Sequence, residues 1–171
     1  MKIYERLSQV YDLDWGKFAM QYVNLINQIF NERGITQARI LDLACGTGTL
    51  AVELADCGHS VHGIDISPQM IEIAKSKSMG LSNVSFEVQD MTQFCVKEKF
   101  ELATCAFDSI NYLLDIDSVK AMFFRATTAL HESGLFVFDL IRIDCMLIVI
   151  RERTSVNWVE SLLFKDSAMT P

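Results

Sequence analysis

The stretch Leu41-Asp42-Leu43-Ala44-Cys45-Gly46-Thr47-Gly48 decides the reading of this chain. Ala38 to Leu43 is a short, mostly apolar run that stops at Gly46-Thr47-Gly48, the pattern of a strand ending in a tight turn. From Leu50 to Cys57 the apolar residues return at helical spacing, and Gly58 supplies a stop. Downstream the unit repeats. Ser60 to Ile64 reads as a second strand. Ser67-Pro68 then places a cap residue and a first-turn proline before a helix carrying Met70, Ile71, Ile73 and Ala74, which stops near Gly80. Asn83 to Val88 alternates as a third strand, and Glu101 to Ala106 makes a fourth. Ser118 to His131 is helical, with Val119, Met122, Phe123, Ala126 and Leu130 on one side, and Gly134 to Asp139 is a fifth strand. Upstream, Trp15, Phe18, Ala19, Tyr22, Val23, Ile26, Ile29 and Phe30 form one apolar stripe, with Gly34 as C-terminal cap.

Five strands alternating with helices predict a mostly parallel sheet covered on both faces. Right-handed crossovers then give a Rossmann-like, doubly wound three-layer α/β sandwich. The length of 171 residues fits one domain, and a hydrophobic content of 50% excludes a disordered chain. The net charge of -7 disfavours a broad electrostatic grip on nucleic acid or an anionic membrane. The five cysteines are odd in number and none is spaced CxxC, which argues against a disulfide framework or zinc site and for a reducing cytoplasm. The N-terminus lacks an apolar signal core, and no apolar run approaches the ~20 residues a membrane helix needs.

In such a sheet, ligands bind beyond the carboxyl ends of the strands, at the point where strand order reverses. Each strand end here carries chemistry. Asp42 and the turn of Gly46 and Gly48 follow the first strand, where the glycines let backbone approach a ligand and start a helix. Asp65 ends the second, placed to accept from both hydroxyls of a ribose. Gln89-Asp90-Met91 follows the third, offering a carboxylate to a purine amine and an apolar side chain to its ring. Ala106-Phe107-Asp108-Ser109 follows the fourth, below the reacting centre. Each element alone has a bland alternative: Asp65 as a capping acid, Asp90 as an Asx-turn, the glycines as a structural turn. Gly46-x-Gly48-x-x-Ala51 also matches a dinucleotide fingerprint, but Asp42 would then face a pyrophosphate, an unfavourable charge pairing. His131, after a helix, reads as a surface residue, His62 as structural, and Cys45 as a small packing residue rather than a nucleophile.

The chain resembles the class I S-adenosylmethionine-dependent methyltransferases. Leu41 to Gly48 is similar to their first motif, Val61 to Met70 to the ribose-binding motif, and Gln89-Asp90-Met91 to the adenine-contacting motif. Cys105 to Leu113 and Val10-Tyr11-Asp12 resemble motifs of a subgroup of small bacterial methyltransferases. The resemblance implies S-adenosyl-L-methionine as cofactor. Asp42 would receive its amino group; Ala44, Gly46 and Gly48 would line its methionine part; Asp65 would hold the ribose. Ile66 would pack on the adenine, Asp90 would bind the adenine amine and Met91 would lie beside it. Cys105 or Ala106 would contact the amino end through a carbonyl, and Tyr11 would help close the site. Asp108 and Tyr11 are the candidates for a base, and a helix cap and a packed ring are equally good readings of them. No metal is implied.

The family fold has seven strands, the last two antiparallel. The expected division is therefore a cofactor-binding domain over residues 1–140 and a divergent or shortened extension over 141–171, with the terminal antiparallel strands reduced or missing. Residues 141–171 carry four basic and four acidic residues, so the whole net charge of -7 lies in 1–140. Met146 to Glu152 and Val156 to Phe164 are candidates for a short hairpin; otherwise the fifth strand becomes an exposed apolar edge that would offer a homodimer contact. Three functions follow: methyl transfer to a small-molecule substrate, a cofactor-binding but inactive interaction module, or modification of tRNA, which the acidic composition opposes.

Overall fold

The computed structural model describes residues 12–141 and 146–152. Helix α1 (Asp12–Glu32) leads into β1 (Arg39–Leu43), α2 (Thr49–Asp56), β2 (Ser60–Asp65), α3 (Pro68–Lys77), β3 (Val84–Val88) and β4 (Phe100–Cys105). A 3₁₀ turn (Ser109–Tyr112), α4 (Ile116–Ala129), β5 (Leu130–Ile141) and β6 (Met146–Glu152) follow. The strands form one sheet in the order β3-β2-β1-β4-β5-β6. All pairs from β3 to β5 are parallel, and β6 runs antiparallel to β5. Strand order reverses between β1 and β4, so the crevice for a ligand opens at their carboxyl ends.

Alternation along the strands divides the core. On one face Ile40, Val61, Phe86, Leu102, Leu135 and Val137 meet α1, α2 and α3. On the other, Leu41, Leu43, Ala103, Cys105, Phe136 and Phe138 meet Met122, Phe123, Ala126 and Ala129 of α4. The helix boundaries follow local chemistry. Gly34, at φ 68°, ends α1 while the Ile35 N–H reaches back to the Phe30 carbonyl at 2.8 Å. The Ser67 hydroxyl accepts the Met70 N–H ahead of Pro68 in the first turn of α3. Asp115 accepts the Ser118 N–H to open α4.

Several expectations need correction. Phe18 belongs to the apolar stripe of α1 by spacing but is 48% exposed, so it is not core. Helix α4 ends at Ala129, and His131 lies at the start of β5. There its ring approaches Glu101, itself paired with Arg39 at 2.9 Å, tying together the amino ends of β1, β4 and β5. An antiparallel strand is present: β6 pairs with β5 from Leu135↔Glu152 to Ile141↔Met146. Met146–Glu152 thus covers β5, and the fifth strand is not the exposed edge that a homodimer contact required. The continuous buried apolar run Leu135–Phe138 suits a strand covered on both faces in the interior of the sheet. Tyr11 and Val156–Phe164 lie outside the described residues. Among the described residues no helix is long and apolar enough to cross a membrane.

Candidate functional site

The turn after β1 is built on left-handed backbone: φ is 54° at Ala44, 55° at Gly46 and 74° at Gly48. The Cys45 N–H donates to the Ile64 carbonyl at 2.9 Å, which fastens the turn to β2. A Cβ on Gly48 would stand 2.7 Å from Phe86 Cζ and 2.8 Å from Ala74 Cβ. Gly63, in β2, would place a Cβ 2.7 Å from the same Phe86 ring. Only glycine lets α2, α3 and β3 close this tightly beneath the turn.

Asp65 ends β2 with its carboxylate across the turn. Its Oδ2 accepts the Gly46 N–H at 2.9 Å and its Oδ1 accepts the Ser67 N–H at 2.8 Å. Burial pushes its pKa up, and those two amides hold it down. Asp42 is 2% exposed, one register step inside the turn. Burial raises its pKa to about 7; the nearby Asp65 charge adds to that, and the Thr104 hydroxyl, donating at 2.7 Å, opposes it. Two acids therefore sit at adjacent strand ends, and among the described residues no basic side chain bonds to either. The Cys45 thiol is pushed well up by burial and by both acids, so it stays protonated, a packing residue as expected.

Ala44, Gly46, Asp65, Ile66 and Met91 line a single cleft together with Phe107, Ser109 and Tyr112. Ile66, 69% exposed, stands at its mouth. Asp90 makes the Asx-turn that the alternative reading anticipated: its Oδ1 accepts both the N–H and the hydroxyl of Thr92 at 2.7 Å. Gly48 is buried against Phe86 and Ala74 and does not line the cleft. Cys105 points its side chain to the α4 face, opposite Asp42, so only its backbone can serve the cleft, and Ala106 is 4% exposed in the α1 and α2 core. Tyr11 is not described. Among the described residues no group of three metal-ligating side chains occurs, and Cys45, Cys57, Cys95 and Cys105 are free thiols.

The sequence reading missed Thr104, the hydroxyl on Asp42. A lone threonine in Leu102-Ala103-Thr104-Cys105 was the available signal, because it pairs with Asp42 in the β1–β4 register. It also missed the second strained turn. Phe107 (φ 60°) and Asp108 (φ 49°) follow β4 and are left-handed without glycine. The Asp108 N–H donates to Asp139 Oδ2 at 2.8 Å, from the carboxyl end of β5.

A doubly wound sheet with a glycine turn and acids at adjacent strand ends of its switch point is the arrangement that the resemblance to S-adenosylmethionine-dependent methyltransferases implies. The chain belongs to the methyltransferase-domain family, whose model matches residues 40–134. It is 36% identical to a "Putative methyltransferase" of Geobacillus sp. (strain WCH70) over 142 residues, covering 75% of this chain and 58% of that protein. A crystal structure of an S-adenosylmethionine-dependent methyltransferase from Clostridium acetobutylicum superposes with a TM-score of 0.65 at 33% identity, covering 81% of this chain and 55% of that one. The SAM-bound structure of CalS10, an amino pentose methyltransferase from Micromonospora echinaspora, gives a TM-score of 0.66 at 25% identity, covering 83% and 57%. The chain thus spans 58% of the curated relative's length and less of the two solved structures.

Proposed function

We propose that this chain binds S-adenosylmethionine in the cleft between β1 and β4 and transfers its methyl group to a small-molecule acceptor. The observation that carries this is the Asp65 carboxylate. Two backbone amides fix its orientation, and a carboxylate offers roughly four lone-pair sites, so about two remain for the hydroxyls of a ribose.

The residues present fit the cofactor. Asp42 supplies negative charge for an ammonium, and the turn of Ala44 and Gly46 offers backbone at the same level. Gly48 keeps that turn close to α3. Ile66 and Met91 flank an adenine; Asp90 retains Oδ2 for its amine, since Thr92 engages Oδ1. A backbone carbonyl of Cys105 or Ala106 would contact the amino end of the cofactor. Pyrophosphate would meet Asp42 and Asp65 at this point, an unfavourable charge pairing that argues against a dinucleotide.

Bound there, the cofactor supplies an electrophilic methyl on a sulfonium that leaves without protonation. The protein's work is to orient the acceptor in line and to exclude water. An acceptor bearing a proton needs a base only when that proton is lost on transfer. Asp108, beside the cleft-lining Phe107 and Ser109, is the described candidate for that base, and burial and the Asp139 charge raise its pKa. The net charge of -7 supports a small acceptor over an RNA. CalS10, named for an amino pentose, is a relative of this fold whose acceptor is small.

Calorimetric titration of the chain with S-adenosylmethionine tests the reading, with Asp65→Ala as control. Micromolar binding lost in the variant supports it, and release of the demethylated product in the presence of an acceptor panel tests transfer. A folded chain that binds no cofactor refutes it.

A further inference from the structure

The loop after β4 supplies Phe107, Ser109 and Tyr112 to the cleft, and Ile110 anchors it in the core on the α4 face. Its first two residues sit in the left-handed region, which side chains rarely adopt without support. That support comes from β5. Asp139, 0% exposed, accepts the Asp108 N–H at 2.8 Å. The Phe107 amide also favours the ionised Asp139 carboxylate. Three residues on, the Asn111 side chain behaves like an added strand residue: its Nδ2 donates to the Ile141 carbonyl at 2.9 Å, and its Oδ1 accepts the Ile141 N–H at 3.0 Å. Tyr22 of α1 completes the cradle, its ring edge-on to Phe107 with centroids 5.2 Å apart. The Tyr22 hydroxyl lies within hydrogen-bonding reach of the Asp139 carboxylate, so α1 is tied to the same acid.

We propose that Asp139 and Asn111 are positioning residues, a two-point clasp by which the end of β5 sets the 107–112 loop as a wall of the cofactor cleft. The role rests on the cofactor reading above. It does not require either side chain to touch a ligand. It also makes the site depend on β6, which pairs across Asp139, Leu140 and Ile141 and so holds the anchoring end of β5.

The test compares the wild-type chain with Asn111→Ala, Asp139→Asn and Asp139→Ala by amide exchange over residues 106–113, cofactor affinity and thermal midpoint. Asn111→Ala removes two exposed bonds and no core atoms. It is expected to raise exchange in the loop about tenfold and weaken S-adenosylmethionine binding about fivefold, the effect of roughly one net hydrogen bond, with an unchanged midpoint. Asp139→Ala is expected to weaken binding more, and Asp139→Asn, which keeps an acceptor oxygen for Asp108, to restore most of it. The clasp is refuted if the wild type binds cofactor and Asn111→Ala binds equally well with unchanged loop exchange. It is equally refuted if affinity falls only as the midpoint falls. A wild type that binds no cofactor refutes the functional reading itself, and the positioning role with it.

Discussion

Replacing Asp65 should separate ribose recognition from the integrity of the turn. In the wild type its two oxygens hold the Gly46 and Ser67 amides at 2.9 and 2.8 Å. Two ribose hydroxyls on the remaining lone pairs would each be worth about 1.5–3 kcal/mol, the range for hydrogen bonds to a charged group. Asp65→Ala should therefore cost about 3–4 kcal/mol, or roughly 200- to 1000-fold in affinity, after allowing for water at an open cleft. The loosened turn contributes to that loss too, so a single variant is not decisive. A double cycle is: wild type and Asp65→Ala, each titrated calorimetrically with the cofactor and with its 2′-deoxy analogue. The wild type should lose at least tenfold toward the analogue, and the variant should barely distinguish the two, giving a coupling of about 1.5 kcal/mol or more. Equal discrimination by both proteins would refute ribose recognition by Asp65, whatever the size of the single-variant loss.

Asp42 makes binding pH-dependent. With its pKa raised to about 7 in the folded chain, a positive cofactor group favours its ionised form. Affinity should thus rise as pH goes from 5.5 to 8, about one proton should be released on binding near pH 6 in buffers of different ionisation enthalpy, and Asp42→Asn should abolish the release. For stability the sign is opposite: the folded carboxyl holds its proton where an unfolded one, near 3.9, has lost it, so this group's contribution is present below pH ~4 and lost as pH rises through about 7. Thr104→Val removes the 2.7 Å donor that favours the carboxylate and should move the binding midpoint up by about 1–2 pH units. Gly48→Ala places a Cβ 2.7 Å from Phe86 and forces alanine to φ 74°. It should lower stability by about 2–4 kcal/mol in urea unfolding, with part recovered by Phe86→Leu; a loss under about 0.5 kcal/mol would refute the close packing.

The strands and the first turn were legible because each is set by neighbours in sequence. Alternation marks which residues face a core, and Gly46 and Gly48 mark the turn whatever packs on it. The second turn was not legible. Phe107-Asp108 carries no residue that favours a left-handed backbone as glycine does, and what holds it there, Asp139, is 31 residues away in sequence. Asn111 was read only within a motif, because its pairing with Ile141 depends on where β5 ends. Phe18 was misplaced for a related reason: spacing defines a stripe on α1, but the width of the face that α2 covers decides which of its residues are buried. Met146–Glu152 was readable as one arm of a candidate hairpin, but its register against β5 was not, since pairing depends on the whole sheet.

The two turns use one device, and its two copies differ in a way that bears on function. After β1, the turn donates a backbone N–H to the acid at the end of β2; after β4, the turn donates to the acid at the end of β5. In each half of the sheet, the acid on the next strand outward holds the left-handed backbone that faces the crevice. The copies diverge in exposure. Asp65 lines the cleft, so its spare lone pairs can meet a ligand, whereas Asp139 is sealed beneath the Phe107 turn. The first acid therefore combines scaffold and recognition, and the second keeps the scaffold role alone. Replacing Asp65 should thus change which ligands bind, and replacing Asp139 should change how tightly all of them bind.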